Sequence, residues 1–354
     1  MQIKYKHLLM ITGFLLSINN ASAVEVVDKK LEIYGKVHLS IDSSDQDDSS
    51  VTNDGISISN NSSRLGFKGE LPAGDLTMIY QYEQGVNLDS GSGSLVTRNS
   101  FGGIKGNFGK VIVGHHDTPY KKLGSKWGVF SDTVGDRRTI MGASYSDGNQ
   151  LNERAKNAIL YEFKNKSIWF QAMYAVDGEV GSADTGGVDN NDITMSGLLF
   201  QYKLGSILIG LANETWEGHS KAGDVDALRA AVSYMFGKSK IGFIYETIDS
   251  STDSQWNRDA MGINVKFDMG SGDIRAHYLV ADSAEGATDT GATNLSLGYF
   301  HNLDKSKQVY LAYSATDNDA NAKFKGVDGG HGDEVATTEG GSPSSLSAGM
   351  IFKF

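Results

Sequence analysis

The last ten residues, 345–354, read SLSAGMIFKF, and their pattern decides the fold. Leu346, Ala348, Met350, Phe352 and Phe354 place an apolar side chain at every second position. A period of two is typical of a β-strand with one apolar and one polar face. An apolar chain end frays in water unless it is paired or lies in a non-aqueous setting. The segment therefore predicts a strand that belongs to a larger apolar wall.

Runs with the same alternation recur along the chain, for example SIWFQAMYAV at 167–176 and ALRAAVSYMF at 227–236. They are close to ten residues long, the length that a tilted strand needs to cross a bilayer. The strands of a soluble sandwich are nearer five or six residues. We predict sixteen strands, at 30–43, 56–71, 76–87, 94–106, 109–117, 153–164, 167–177, 192–204, 206–215, 226–237, 240–249, 258–269, 272–281, 291–302, 307–316 and 344–354.

The connections between these strands alternate in length. Seven are tight and rich in Gly, Asn, Asp or Lys, such as NFGK at 107–110 and GKSK at 237–240. The other eight are predicted to be long and polar, such as SSDQDDSSVTNDG at 43–55. Short turns on one side and long loops on the other are typical of an outer-membrane barrel. The alternative, a secreted β-sandwich, has no such rule. The predicted fold class is therefore all-β, a transmembrane antiparallel β-barrel.

The first residues predict an export signal. Lys4 and Lys6 precede the apolar run 8–18, and Ala21-Ser22-Ala23 follows it. This order of a basic, an apolar and a small-residue region is that of a secretory signal peptide. The apolar run is too short for a membrane-spanning helix, which needs about 20 residues. We predict a signal peptide at 1–23 and a barrel at 24–354.

Composition excludes one class of partner and one source of stability. The chain has 32 Lys and Arg against 43 Asp and Glu, a formal net charge of −11. Nucleic-acid binding needs clustered basic residues, so we exclude that class. With no cysteine, the fold has no disulfide to rely on.

Several motifs in their order resemble the general porins of Gram-negative outer membranes. They are LEIYGKVHLSID at 31–42, SSRLGFKGELPAGDLTMIYQYE at 62–83, RNSFGGIKGNFGKVIVGHHDTPY at 98–120, WGVFSDTVGD at 127–136, ERAKNAILYEF at 153–163 and the terminal FKF. The resemblance implies an integral outer-membrane barrel whose long third loop folds into the lumen. It also implies a homotrimer set in outer-membrane lipid and lipopolysaccharide. In that family a terminal aromatic, here Phe354, helps the barrel-assembly machinery to recognise the chain.

The function implied by the resemblance is passive diffusion of small hydrophilic solutes and ions, filtered by size and charge, with no cofactor and no enzymatic activity. Three alternatives stay open: a substrate-specific channel for a sugar or an anion, a structural or adhesive barrel, and an outer-membrane enzyme. His115 and His116 alternate across a strand, so both rings cannot chelate one metal ion from the same face. No metal site is predicted.

Strand phase supplies the candidate pore residues. If Ile33, Val37 and Leu39 face lipid, Lys36 and His38 face the channel, and the same argument from Leu65 and Phe67 places Arg64 and Lys68 there. The resemblance implies a basic wall opposite an acidic loop: Lys36, Arg64, Arg98 and His115 would form the wall, and Asp132 and Asp136 the loop.

Two features leave the sign of the field across that constriction open. His115 occupies a position that is commonly arginine in the family, so the wall charge is weaker and varies with pH. Arg137 and Arg138 add positive charge from the loop side.

The segment 117–152 also carries Trp127 and Phe130, which favours its packing against the wall over external disorder. With acidic loops at the mouth, the sequence predicts a modest preference for cations.

Overall fold

The structure is a computed structural model, and it describes residues 24–48, 55–90, 95–146, 148–178 and 193–354. The predicted signal peptide at 1–23 lies outside these residues, so its cleavage stays a prediction. Across the described ranges, no helix combines the length and the apolar character needed to cross a membrane.

Sixteen antiparallel wall strands make up the described part of the barrel. They are β1 Leu31–Asp45, β2 Gly55–Asn60 with Arg64–Ala73, β3 Leu76–Gly85, β4 Val96–Thr97 with Ser100–Gly106, β5 Gly109–Asp117, β6 Arg154–Lys164, β7 Ile168–Val176, β8 Thr194–Leu204, β9 Ile207–His219, β10 Gly223–Phe236, β11 Ser239–Ser250, β12 Arg258–Asp268, β13 Gly272–Ala281, β14 Ala292–Asn302, β15 Lys307–Asn318 and β16 Ser344–Lys353. Each pairs with its neighbour in the chain, and β16 pairs with β1, so the sheet is closed. The predicted barrel is confirmed.

The closing seam explains the apolar chain end. β16 runs antiparallel to β1, with Met350 opposite Leu39 and Phe352 opposite Val37. Beyond the last paired residue, the Gly35 N–H donates to the Phe354 carbonyl at 2.8 Å, and the Phe354 N–H donates to the Gly35 carbonyl at 3.1 Å. A Cβ at position 35 would lie 2.4 Å from the Phe354 ring. The terminal ring therefore covers a site that only glycine leaves open.

The two faces of the wall differ as the alternation predicts. In β10, Leu228 and Tyr234 point outward with 46% and 51% of their surface exposed, whereas Arg229 between them is fully buried. The same contrast holds in β1, where Ile41 is exposed and His38 and Asp42 are buried. An apolar outer surface of this kind suits lipid, and the polar side chains make up the inner face.

The seven predicted tight turns are present, but one predicted long loop is not. β9 and β10 extend past their predicted ends and leave only residues 220–222 between them. The cause is local. His219 Nδ1 accepts hydrogen bonds from the N–H groups of Lys221 and Ala222, and Gly223 adopts a positive φ of 63°. The side chain of His219 thus replaces the missing backbone partners of a tight turn.

The connection between β5 and β6, residues 118–153, is called the third loop here. It begins with helix α1, Pro119–Trp127, whose N-cap Thr118 accepts from the Lys121 N–H at 3.2 Å. A 3-10 turn follows at Arg137–Thr139. α1 contacts β7 to β10, and Trp127 and Phe130 are almost fully buried. Trp127 and Phe130 of this loop therefore pack against side chains of the wall strands.

Candidate functional site

The tip of the third loop meets β1 through a compact ionic group, called the tip cluster here: Lys36, Asp132, Asp136 and Arg138. Lys36 Nζ lies 2.8 Å from Asp132 Oδ2, and Arg138 Nη2 lies 3.1 Å from Asp132 Oδ1. Asp132 therefore binds one cation from the wall and one from its own loop. The sequence prediction that Lys36 and Asp132 face each other agrees with this geometry.

Asp136 supports the tip instead of facing the wall. It is fully buried and holds Arg138 through two bonds, Nε to Oδ1 at 2.8 Å and Nη2 to Oδ2 at 2.7 Å. Its Oδ2 also accepts from the Asp132 N–H at 2.7 Å. Burial alone would raise the pKa of Asp132, but the charges of Lys36 and Arg138 outweigh it and hold that pKa well below its usual range. The Asp132 carboxyl therefore stays ionised at neutral and mildly acidic pH.

A second basic pair lies beside the tip cluster and shares one carboxylate. Arg98 Nε is 2.8 Å from Glu83 Oε1, and Arg64 Nε is 3.7 Å from Glu83 Oε2. The Tyr34 hydroxyl also donates to Glu83 at 3.1 Å. The resemblance assigns Arg98 to the wall, and its contact with Glu83 places it on the inner face. Glu83 was not singled out from the sequence, although its register partner Gly66 lies two residues from both Arg64 and Lys68 and so has their phase.

The remaining predicted wall residues, His38, Lys68 and His115, take no part in the ion pairs of the tip cluster. His38 is fully buried, and its Nε2 lies 3.0 Å from the Tyr310 hydroxyl. Lys68 is near the turn end, 3.1 Å from Glu32. His115 is apart from the tip cluster, and the charges that act on it are those of Arg154, Asp117 and Lys121. The structure therefore does not bring Lys68 or His115 to the acidic tip.

Arg137 lies between the tip cluster, where its Nη1 is 3.7 Å from Asp136 Oδ1, and a second ionic group, called the anchor cluster: Arg229, Glu246 and Arg258. Arg229 Nε donates to Glu246 Oε2 at 3.0 Å, and both side chains are fully buried. Arg258 Nη2 lies 3.8 Å from Glu246 Oε1. Asn152 connects the two groups, because its Oδ1 accepts from Arg137 and from Arg229, each at 3.2 Å.

The anchor cluster grips the backbone of the third loop. Arg229 Nη1 donates to the Tyr120 carbonyl at 3.0 Å, and its guanidinium lies 3.6 Å from the Tyr120 ring centroid. Arg258 donates to the Ile140 carbonyl at 2.7 Å, and Glu246 accepts from the Gly142 N–H at 2.7 Å. Both ends of the loop are therefore tied to β10, β11 and β12.

Three further side chains bind loop carbonyls between these two clusters. Asn264 donates to the Trp127 carbonyl at 3.0 Å, and Lys240 donates to the same oxygen. Arg275 Nη1 donates to the Val129 carbonyl at 2.9 Å. The third loop is thus fixed along most of its length to inner-face residues of the wall.

The last long loop, residues 319–343, also packs on the tip cluster. A Cβ at Gly330 would lie 2.0 Å from Asp132 Oδ1, so no larger residue fits without a shift. The Ser62 hydroxyl donates to the Gly330 carbonyl at 2.9 Å, and His331 Nε2 lies 3.2 Å from Asp42 Oδ2. Val327 and Val335 join the apolar cluster that contains Phe130. The sequence argument gave no sign of this second packed loop.

A cavity of about 410 Å³ opens beside the tip cluster on the turn side. Its ionic lining consists of six basic residues, Lys36, Arg64, Arg275, Lys305, Lys307 and Lys353, with two acidic residues, Asp132 and Asp304. Lys307 Nζ lies 2.8 Å from Asp304. In the described ranges Lys305 and Lys353 have no ion-pair partner. Nor do these ranges contain a group of three His, Cys, Asp or Glu residues that could hold a metal ion. The arrangement can orient and attract ions.

Comparison with known sequences agrees with this architecture. The family model described as Gram-negative porin matches residues 15–321. Outer membrane porin protein 32 of Delftia acidovorans is 28% identical over 319 residues, which cover 83% of this chain and 86% of that protein. Major outer membrane protein P.IB of Neisseria meningitidis serogroup A is 39% identical over 87 residues, 23% of this chain and 26% of that protein.

Solved structures show the same fold. The anion-selective porin from Comamonas acidovorans superposes with a TM-score of 0.72 at 22% identity and covers 92% of this chain and 99% of its own. OmpT of Vibrio cholerae, folded in vitro, gives 0.70 at 17% identity and covers 94% and 100%. The family match spans most of the chain, and the barrel is closed. The chain therefore belongs to the Gram-negative porin family, and it is a passive outer-membrane diffusion channel for small hydrophilic solutes.

Proposed function

We propose that the third loop narrows this channel at the tip cluster, and that the narrow part favours anions. The single observation that carries the proposal is the ionic lining of the 410 Å³ cavity, where basic residues outnumber acidic ones. Fixed positive charge in a confined, poorly screened space raises the local concentration of anions. The residues proposed to line the route are Lys36, His38, Arg64 and Arg98 on the wall, with Asp132 and Arg138 on the loop.

This proposal replaces the expected cation preference. That expectation rested on the acidic loops at the mouth, with Asp132 and Asp136 balancing the basic wall. The charge of Asp136 is paired with Arg138, and the charge of Asp132 is shared between Lys36 and Arg138. The neighbour from Comamonas acidovorans is described as anion-selective, which supports the same choice for this chain. Arg137, Lys68 and His115 are assigned no part in the narrow region.

The reversal potential in a salt gradient across a planar bilayer tests the proposal. We expect the wild-type reversal potential to have the sign of an anion-selective channel. Lys305→Gln with Lys353→Gln should move it toward cations, because these two charges line the cavity and have no ion-pair partner in the described ranges. Lys238→Gln removes an exposed turn lysine outside the cavity and is the matched control. A cation-selective wild type, or equal shifts in variant and control, would contradict the proposal.

Assembly is part of the same proposal. A homotrimer is supported by a neighbour, the trimer form of Vibrio cholerae OmpT, which superposes with a TM-score of 0.67. An apolar groove of about 450 Å³ on the outer wall, lined by Leu39, Ile41, Ile58, Val309 and Met350 among others, offers a surface for such a contact. Phe354 remains our candidate for the residue read by the barrel-assembly machinery, and outer-membrane lipid and lipopolysaccharide for the surroundings of the wall.

A further inference from the structure

A second cavity, of about 270 Å³, lies at the turn end of the barrel, where the C-terminal end of α1 approaches β6 to β10. Four lysines line it: Lys126 from α1, Lys164 at the end of β6, Lys166 from the turn after β6, and Lys203 from β8. Met235 in its lining is the register partner of Lys240, whose ammonium binds the third loop. The cavity therefore belongs to the inner face and not to the lipid side.

The four lysines have no countercharge in this cavity. Its lining includes no carboxylate, and none of the four forms an ion pair within the described ranges. Two other inner lysines are paired, Lys36 with Asp132 and Lys110 with Glu162. The four lysines are exposed around the mouth of the cavity, and like charges gathered there repel each other, so a bound anion would relieve that repulsion.

A tryptophan beside the lysines is held in place. Trp169 Nε1 donates to Glu162 Oε2 at 2.9 Å, and Gln171 and Lys110 bind the same carboxylate at 2.5 and 3.0 Å. Lys164 Nζ lies 4.6 Å from the Trp169 ring centroid, a cation–π distance. Glu162 is thus fully engaged in orienting the ring. Ile168, Leu208 and Met235 add apolar surface to the same lining.

We propose that this lysine–tryptophan cavity is a binding site for small organic anions with a flat apolar body, of which an aromatic carboxylate is the simplest example. The lysines supply the attraction for the carboxylate, and Trp169 with its apolar neighbours supplies a surface for the ring. The site is separate from the tip cluster. A negative result here leaves the reversal-potential test untouched, and the reverse also holds.

Fluorescence quenching of the folded protein in detergent micelles tests the proposal directly. Trp127, Trp216 and Trp256 are buried, so Trp169 is the accessible one of the four tryptophans. We expect iodide, an anion, to quench it more strongly than neutral acrylamide. Benzoate should protect Trp169 from iodide, whereas benzyl alcohol, or chloride at the same concentration, should not. Equal protection by benzoate and chloride would overturn the proposal, since it would show only screening.

Charge-removing variants give an independent check. Lys164→Gln with Lys203→Gln should lower the iodide quenching constant about fivefold, the equivalent of about 1 kcal/mol of lost attraction, and leave acrylamide quenching unchanged. Lys238→Gln should change neither constant. If the double variant quenches like wild type, the lysines do not gather anions at Trp169 and the proposal is wrong. If the variant misfolds, its buried tryptophans become exposed and acrylamide quenching rises. In that case the proposal is judged by whether benzoate protects the wild-type protein.

Discussion

Two ionic groups fasten the same loop, and they differ in their contact with water. In the tip cluster, the side chains of Lys36 and Asp132 remain 8% and 18% exposed beside an open cavity. In the anchor cluster, Arg229 and Glu246 are 0% exposed, and each also binds the loop backbone. The chemistry of the pairs is alike. The tip pair borders an open cavity, whereas the anchor pair has no contact with water.

Ion pairs can either stabilise the loop or present charge to solutes, depending on their burial. Burying an ion pair costs desolvation free energy, which is offset only by good geometry and further hydrogen bonds. Glu246 has such contacts with Arg229, Arg258 and the Gly142 N–H. A pair at the water boundary is weaker, but its charges still act on solutes. Variants of the two groups should therefore separate loop stability from ion selectivity.

The largest effect is expected from Glu246→Ala. It leaves Arg229 and Arg258 buried without their carboxylate and removes the acceptor of the Gly142 N–H. Breaking a buried pair in this way costs about 3–5 kcal/mol. We expect a large drop in the thermal unfolding temperature of the purified protein. The joint variant Arg229→Met with Glu246→Leu should recover part of that loss, because it removes one of the two stranded charges and leaves only Arg258 without its carboxylate. An unfolding temperature unchanged by Glu246→Ala would show that the anchor cluster does not hold the loop.

A smaller structural effect, but a clear electrical one, is expected from Asp132→Asn. The change keeps the shape of the side chain and releases the charges of Lys36 and Arg138. The free energy of unfolding should fall by about 1.5–3 kcal/mol, the ordinary range for hydrogen bonds to charged groups, which is less than the loss expected at the anchor cluster. The reversal potential should move further toward anions at nearly constant conductance. Glu285→Gln, in the exposed loop before β14, is the control. No change in potential would place the selective region elsewhere.

The smallest effect concerns pH. Because the charges of Lys36 and Arg138 outweigh burial and hold the pKa of Asp132 well below its usual range, this carboxyl stays ionised until the pH falls through that lowered value. An ordinary aspartate, with a pKa of about 3.9, would lose about two-fifths of its charge at pH 4. The difference in reversal potential between wild type and Asp132→Asn should therefore be the same at pH 7 and pH 4. A difference that shrinks at pH 4 would indicate an ordinary carboxyl.

The strands could be predicted from the sequence because their physics is local. Alternation follows from strand geometry, and turns follow from Gly, Asn and Asp, so boundaries such as β13 272–281 needed no tertiary information. The loop at 220–222 was missed because a side chain, His219, made the turn. Local composition does not reveal that a side chain will accept the turn's N–H groups in place of the backbone.

The site was predictable only where strand phase decides it. The alternation of the strands places Lys36 and Arg64 on the inner face. It also predicts the Arg229–Glu246 pair, which the sequence analysis did not use: the two residues are equally far from the 237–238 turn and are therefore register partners. The roles of Asp136 and Gly330 depend on how two loops pack on each other, far apart in sequence. No periodic pattern encodes such contacts.

The bonds between Gly35 and Phe354 join residues more than three hundred positions apart, and they complete the ring. Closing so long a connection is entropically expensive, and its non-local pairing makes folding slow. No shorter piece of the chain can form a sheet without two open edges, which are prone to pair with other chains. Closure of the barrel must therefore wait until β16 has been synthesised, and the unfolded chain needs protection until then.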